Sequence, residues 1–351
     1  MKTIYLDNAA TTKPTPEVQT AIGNAPYFNT AATYAGSLSA RHEIERAYTI
    51  IQKKLKTDGD LVFTSGATES NNMIIQGIPR KNSHILIASG EHSSVHSPAV
   101  YLQQLGFDVE FVPLDKNGAI GEINVRDNTS LFVFGLVNSD TGYIQDYKSL
   151  VKTIREKNPK THIHCDAVQG FCKFDFDANV FDSVSISAHK IYGPKGIGAL
   201  WLKKGTNLRP IMYGGAQQDF RPGTQDTPNI VGFSIAVEKF PQLSSSLKQR
   251  LLKNLPPEIT LNSINENPYI INLSLPVLGS TVQNALSERG IYVGLGSACA
   301  TNSAKNRTLL AMGLGEKQTK QVLRISFGIY NTEQDVDTFI KELREILANL
   351  K

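Results

Sequence analysis

The chain has 351 residues, 40% hydrophobic and 19% charged, an ordinary make-up for a protein with a large core and room for two domains. Its net charge of +4 is small and dispersed, which argues against nucleic acid as a partner. The 3 cysteines form no Cys-x-x-Cys pair and suggest neither a disulfide framework nor a cysteine metal site, and apolar runs such as Leu131–Val137 are too short to cross a bilayer.

Only a very short apolar run precedes Asp7, so no secretory leader is expected and a reducing, cytoplasmic location is the default. Residues 1–12 read as an extended entry and a polar turn, and Pro14 and Pro16 open a short helix. Residues 23–37 show no period and read as a loop of the kind that builds active sites. An amphipathic helix follows over about 39–56, with Ile44, Ala47, Tyr48, Ile51 and Leu55 on its apolar face. Strands are then predicted at Leu61–Thr64, His84–Ser89, Asp108–Val112, Leu131–Val137, His162–Asp166, Asp182–Ala188 and Ile197–Leu202. Helices near Thr68–Gln76, Ser94–Leu105 and Tyr147–Lys157 lie between several of them. The alternation implies an α/β fold, a mainly parallel sheet with helices on both faces. After about Pro228 the pattern changes to a long helix reaching about Leu252, with a break possible at Pro241. Strands at Tyr269–Leu273 and Leu323–Phe327 and a final helix capped by Thr332-x-x-Asp335 complete a smaller α+β unit. The expected division is a large domain over 14–245 and a small one made of 1–13 and 246–351.

In such sheets ligands bind beyond the carboxyl ends of the strands, so the residues there carry the functional reading. Ser65-Gly66-Ala67-Thr68-Glu69 opens a helix whose backbone amides suit an anion, although an ordinary Ser/Thr cap explains it equally. His92 follows the second strand and can stack on a planar ring, or is a loop histidine. Asn138-Ser139-Asp140-Thr141-Gly142 reads as a turn. Asp166 shares a strand face with His162 and His164, and a carboxylate at a strand mouth needs a partner such as a pyridinium N–H. Ser187-Ala188-His189-Lys190 ends the sixth strand. A lysine there has its pKa lowered by burial, as an amine that bonds an aldehyde cofactor requires, with Ser187 and His189 as phosphate donors. Each signal is weak alone. Together they point to pyridoxal 5'-phosphate (PLP) on Lys190.

The chain resembles the cysteine desulfurases of the class V aminotransferase superfamily, PLP enzymes of fold type I. The resemblance is carried by Tyr5–Thr12, Phe63–Asn72, Glu91-His92, Asp166–Gln169, Ser187–Gly196, Arg221–Thr224, Gly296–Cys299 and Leu323–Gly328. It implies that Lys190 bonds the cofactor and that Asp166 pairs with the pyridine nitrogen. It also implies that Gln169 meets the ring hydroxyl, that His92 stacks on the ring and moves protons, and that Ala67, Thr68, Ser187 and His189 hold the phosphate. Thr224 then reaches the phosphate of a neighbouring subunit in a homodimer with shared sites, and Asn138 and Arg324 bind the carboxylate of L-cysteine. Cys299, in the small-residue stretch 294–306 that reads as a mobile loop, takes the sulfur as a persulfide and passes it to protein acceptors. Iron–sulfur cluster assembly, tRNA thiolation and cofactor synthesis are the candidate destinations. Cys165 and Cys172 read as packing cysteines. The chain departs from the family pattern at Asn29–Ala32, Ser139–Thr141 and Pro222. A selenocysteine lyase, a sulfinate desulfinase, an aminotransferase and a non-catalytic sulfur-relay partner are the alternatives.

Overall fold

The computed structural model describes residues 3–215, 220–241, 245–296 and 306–350. In chain order the elements are β1 (Ile4–Tyr5), α1 (Pro16–Asn24), α2 (Gly36–Leu55), β2 (Asp60–Thr64), α3 (Ala67–Gly77), β3 (His84–Ala88), α4 (Ser93–Gln104), β4 (Asp108–Val112), β5 (Thr129–Gly135), α5 (Tyr147–Lys157), β6 (His162–Asp166), β7 (Ser183–Ser187) and β8 (Gly198–Leu202). They continue with α6 (Thr227–Glu238), α7 (Ser246–Asn254), β9 (Thr260–Leu261), β10 (Ile270–Ser274), α8 (Gly279–Glu288), β11 (Ile291–Tyr292), α9 (Arg307–Ala311), β12 (Val322–Ser326) and α10 (Glu333–Asn349).

Seven strands form one sheet in the order β2-β8-β7-β6-β5-β3-β4. From β7 to β4 all neighbours are parallel, and β8 runs antiparallel to both β7 and β2. The sheet is therefore mainly parallel, as expected, with one reversed strand. Its two faces are covered by separate apolar clusters. One gathers Ile44, Ile51 and Leu55 of α2 and Ile230 and Phe233 of α6, and the other gathers Met73 and Ile74 of α3 and Val95 and Leu102 of α4. All five residues of β7 are buried. Its Val184 and Ile186 join the first cluster, while Ser183, Ser185 and Ser187 are buried on the opposite face, the side against which α3 packs. A strand covered on both sides must satisfy its polar face internally, and that face feeds the site described below.

A third apolar cluster joins Leu247 and Leu251 of α7, Leu273 of β10, Leu286 of α8, Ile325 of β12 and Phe339, Leu343 and Ile346 of α10. Ile4 and Leu6 belong to it, because β1 pairs in parallel with β11. The N-terminal strand thus packs with the C-terminal elements. The helix expected over about 228–252 is interrupted: α6 ends at Glu238 and α7 starts at Ser246. Pro241 lies in the gap, lacks an N–H and pushes Phe240 away from helical geometry. At α10 the expected cap is present, with Asp335 N donating to Thr332 Oγ1 at 3.2 Å and Thr332 N donating to Asp335 Oδ2 at 2.9 Å. Among the described residues no helix is long and apolar enough to cross a membrane.

Candidate active site

The carboxyl ends of β5, β6 and β7 open into a cleft of about 700 Å³ lined by residues of both the large sheet and the C-terminal elements. Gly135, Asp166 and Ser187 sit at those strand ends, and Ala67, Thr68, His92, Asn138, Gln169, His189, Lys190 and Arg324 line the same cleft. A second cavity, about 580 Å³, lies at the opposite, amino end of these strands. Its Arg80 and Arg155 are committed to carbonyls of Gly77, Ile78 and Thr161 and to Asp182, so the chemistry belongs to the carboxyl end.

β7 delivers Lys190 through a single helical turn over 188–190. Tyr192 then takes a left-handed φ of 65°, with its N–H held by Thr12 Oγ1 at 2.7 Å and its hydroxyl accepting from Ile329 N at 3.1 Å. Gly193 follows under Ala188, where a Cβ would lie 2.8 Å from the Ala188 Cβ and 2.9 Å from its carbonyl oxygen. A bulky residue at positive φ costs energy, and it persists because both its backbone N–H and its hydroxyl are tied. This turn aims Lys190 Nζ at two carbonyls, Ala9 O at 2.6 Å and Ala10 O at 2.7 Å. Burial, reinforced by the positive charge of Arg324, pulls the Lys190 pKa down to about 8, against the opposing pull of Asp7 and Asp166.

Asp166 is buried, and both of its oxygens accept hydrogen bonds: Oδ2 from Asn71 Nδ2 at 2.8 Å and Oδ1 from Val168 N at 3.1 Å. Gln169 donates Nε2 to Ala9 O at 2.8 Å and accepts from Lys173 Nζ at 3.1 Å. Burial and the charge on Lys190 bring the Lys173 pKa to about 7. His92 Nδ1 accepts from Ser94 N at 3.1 Å and lies 2.9 Å from Ser94 Oγ, while burial lowers its pKa. His189, held at Thr11 Oγ1 by Nδ1 at 3.1 Å, is lowered to about 4 by burial and by the surrounding lysines. Burial pushes the Glu91 carboxyl up to about 8, and its Oε1 accepts from Gly135 N at 2.9 Å.

At the other wall Arg324 is 6% exposed. Its Nη2 donates to Asp7 Oδ1 at 2.7 Å and its Nη1 to Ser139 O at 3.0 Å. The loop after β5 is fixed from both sides. Asn138 Oδ1 accepts from Asp140 N at 2.9 Å and Thr141 N at 3.0 Å. From the C-terminal elements, Asn272 donates to Asp140 O, Asn265 to Thr141 O and Asn267 to Gly142 O, at 3.1, 3.0 and 3.0 Å.

Of the site residues expected from sequence, Lys190, Asp166, Gln169, His92, Ala67, Thr68, Ser187, His189, Asn138 and Arg324 converge on this cleft. Thr224 is exposed and does not line it. Cys299 lies outside the described residues, and Gly296, the last residue described before it, lines the cleft. Cys165 is buried and Cys172 partly so, and burial raises both thiols. Sequence reasoning missed Asp7, the Ala9 and Ala10 carbonyls, Asn71, Ser94 and Lys173. Only the run Tyr5–Thr12, read there as a polar turn, gave any sign of the first three.

The donor set fits PLP. An amine with lowered pKa, an acceptor-only carboxylate, an imidazole and a helix N-terminus with a buried serine and a neutral histidine share one cleft. The first amides of α3 have no intrahelical acceptor and suit a phosphate. Gly66, at φ 150°, packs under Gly198, where a Cβ would come within 2.8 Å of the Gly66 Cα. Backbone therefore forms this wall of the cradle.

The family model for aminotransferase class V matches residues 4–339, and the chain belongs to that family. Among curated proteins it is 34% identical to cysteine desulfurase IscS 1 of Archaeoglobus fulgidus, over 99% of this chain and 97% of that one. Among solved structures, a NifS-like protein matches with a TM-score of 0.90 at 32% identity, covering 99% of this chain and all (100%) of the other. SspA, solved in complex with cysteine, matches with a TM-score of 0.83 at 31% identity, covering 94% of this chain and 100% of that one.

Proposed function

We propose that this protein is a PLP-dependent cysteine desulfurase that converts L-cysteine to L-alanine and takes the sulfur onto Cys299 as a persulfide. The observation that carries the reading is the meeting, in one cleft, of the lowered amine of Lys190, the Asp166 carboxylate and the Arg324 guanidinium. When bound, PLP supplies an aldehyde for the lysine amine and a protonated ring that draws electrons from the substrate. Asp166 holds the proton at the ring nitrogen, and Gln169 orients the ring. Ala67, Thr68, Ser187 and His189 hold the phosphate. His92 covers the ring face.

Arg324 and Asn138 orient the substrate carboxylate, for which a planar guanidinium is suited. Lys190 Nζ would take the Cα proton of the substrate and return one to carbon. Cys299 Sγ, as thiolate, attacks the substrate sulfur; the Cβ–S bond breaks, an S–S bond forms, and the carbon skeleton leaves as alanine. The similarity to cysteine desulfurase IscS 1 and to SspA with bound cysteine supports this substrate.

The working unit in this reading is a homodimer in which Thr224 serves the partner's phosphate, and protein acceptors remove the persulfide sulfur. The large domain spans 14–245, and the small one combines 1–13 with 246–351. Purified holoenzyme given L-cysteine is expected to show cofactor absorbance and to form alanine, with sulfide release dependent on added thiol. Full sulfide release without thiol in Cys299→Ala would remove that residue as the sulfur acceptor. Transamination of L-alanine in place of desulfuration would replace the reading altogether.

A further inference from the structure

Beneath the cleft runs a chain of buried polar side chains. His162 Nε2 lies 2.7 Å from Ser183 Oγ, and Ser183 Oγ lies 2.7 Å from His164 Nδ1. His164 Nε2 is 3.0 Å from Asn71 Oδ1. Asn71 Nδ2 donates to Asp166 Oδ2 at 2.8 Å and to Ser94 Oγ at 2.9 Å, and Ser94 Oγ is 2.9 Å from His92 Nδ1. Asn71, His164 and Ser183 are fully buried (0% exposed), so no water competes for these bonds.

Donor and acceptor chemistry permits one orientation of this chain. A carboxylate only accepts, so Asn71 turns Nδ2 to Asp166 and Oδ1 to His164. The amide oxygen also only accepts, so His164 carries its hydrogen on Nε2. Burial, first, and then the neighbouring His162 hold the His164 pKa at about 3, so the ring is neutral and Nδ1 is bare. Ser183 gives its single hydroxyl hydrogen to that nitrogen and accepts from His162 Nε2–H. On the other branch Ser94 Oγ accepts the second hydrogen of Asn71 Nδ2. Its own hydrogen then goes to His92 Nδ1, which also accepts from Ser94 N.

We propose that Asn71 is a positioning residue that couples the two ring-binding groups: it gives one amide hydrogen to Asp166 and the other to Ser94 Oγ, whose own hydrogen then joins the Ser94 N–H in holding His92 as the Nε2–H tautomer. The inference rests on the PLP reading of the cleft. It assigns His92 a sharper role than a freely titrating histidine. The ring offers an N–H from Nε2, and protonation at Nδ1 requires the two Ser94 donors to let go. A buried network that is fully satisfied has one low-energy arrangement, which is why a single amide can fix two groups.

The test is ¹⁵N NMR of histidine-labelled holoenzyme at neutral pH, with His92 assigned from a His92→Gln spectrum. The expected result is the Nε2–H tautomer of neutral His92. An Nδ1–H tautomer or an imidazolium overturns the inference, with no variant needed. In Asn71→Leu, which keeps the branched shape and removes both hydrogens, the His92 Nδ1 resonance and the cofactor absorption maximum should both shift. kcat/KM should fall roughly ten- to hundredfold, the scale of losing a charge-assisted hydrogen bond. Asn71→Leu holoenzyme with both signatures unchanged overturns the inference even if its melting temperature drops, since a purely structural role moves only the latter. Absence of cofactor absorbance in the unaltered protein overturns the PLP reading, and this inference with it.

Discussion

Lys190 shows how one residue converts burial into reactivity. Its pKa, lowered to about 8 from an ordinary 10.5, leaves the amine half neutral near that pH. The neutral form is the nucleophile, so the rate at which apoprotein takes up PLP is expected to rise about tenfold per pH unit below 8 and level off above it. Stopped-flow absorbance checks this, and a flat profile from pH 6 to 9 would contradict it. The same shift has a stability consequence. Between about pH 8 and 10.5 the unfolded chain binds more protons at this lysine than the folded one does, so apoprotein stability rises with pH across that window. Lys190→Met, which removes the buried charge, should stabilise the apoprotein more at pH 7 than at pH 10, measured by urea midpoints. The lysine itself was legible in the sequence, because it directly follows a strand whose Val184 and Ile186 mark it as buried. Its partners were not. The Ala9 and Ala10 carbonyls stand far away in the chain, and nothing local in the sequence around Lys190 points to them.

At the scale of elements, the strand–turn units were readable because the strands of the large sheet are short apolar or alternating runs, several of them followed by polar or glycine-rich turns. β4 and β6 match their expected bounds, β3 ends one residue earlier than expected, and β7 is one residue shorter at each end. The serine alternation in β7 misleads if taken as an exposed face, since α3 covers it and His164 and Ser183 bond there. The short strands β1, β9 and β11 carry two residues each, too few for a period, and exist through pairing with distant partners. Gly193→Ala tests the turn that aims Lys190. Its added Cβ must displace Ala188, at an expected cost of about 1–3 kcal/mol, with reduced cofactor absorbance per chain. Asn272→Ala tests the grip on the loop after β5. It frees the Asp140 carbonyl and leaves Asn262 without its acceptor, so KM for L-cysteine is expected to rise several-fold with a smaller change in kcat.

For the whole molecule, the sequence pattern indicated a sheet with a second unit after it, and the resemblance supplied the order of the site motifs. What the folded chain adds to the expected grouping of 1–13 with 246–351 is the pairing of β1 with β11 and the bond between Asp7 and Arg324. Tyr27, Tyr34 and Tyr213 are exposed at 85%, 54% and 84%, and Thr224 is exposed outside its own chain's cleft. The proposed homodimer with shared sites would give these residues a partner. Sedimentation should then report twice the 38.5 kDa chain mass. Co-expressed Lys190→Ala and Thr224→Ala chains should restore one intact site per mixed dimer, seen as tight cofactor binding that neither variant shows alone. A monomer in solution would contradict both.

The most direct measurement is a single turnover of holoenzyme with L-cysteine, followed by mass spectrometry of the peptide containing Cys299. The expected result is one added sulfur atom on that peptide, formed in step with one alanine per site and absent in Lys190→Ala. Alanine formed in full while the Cys299 peptide stays unmodified would contradict the account.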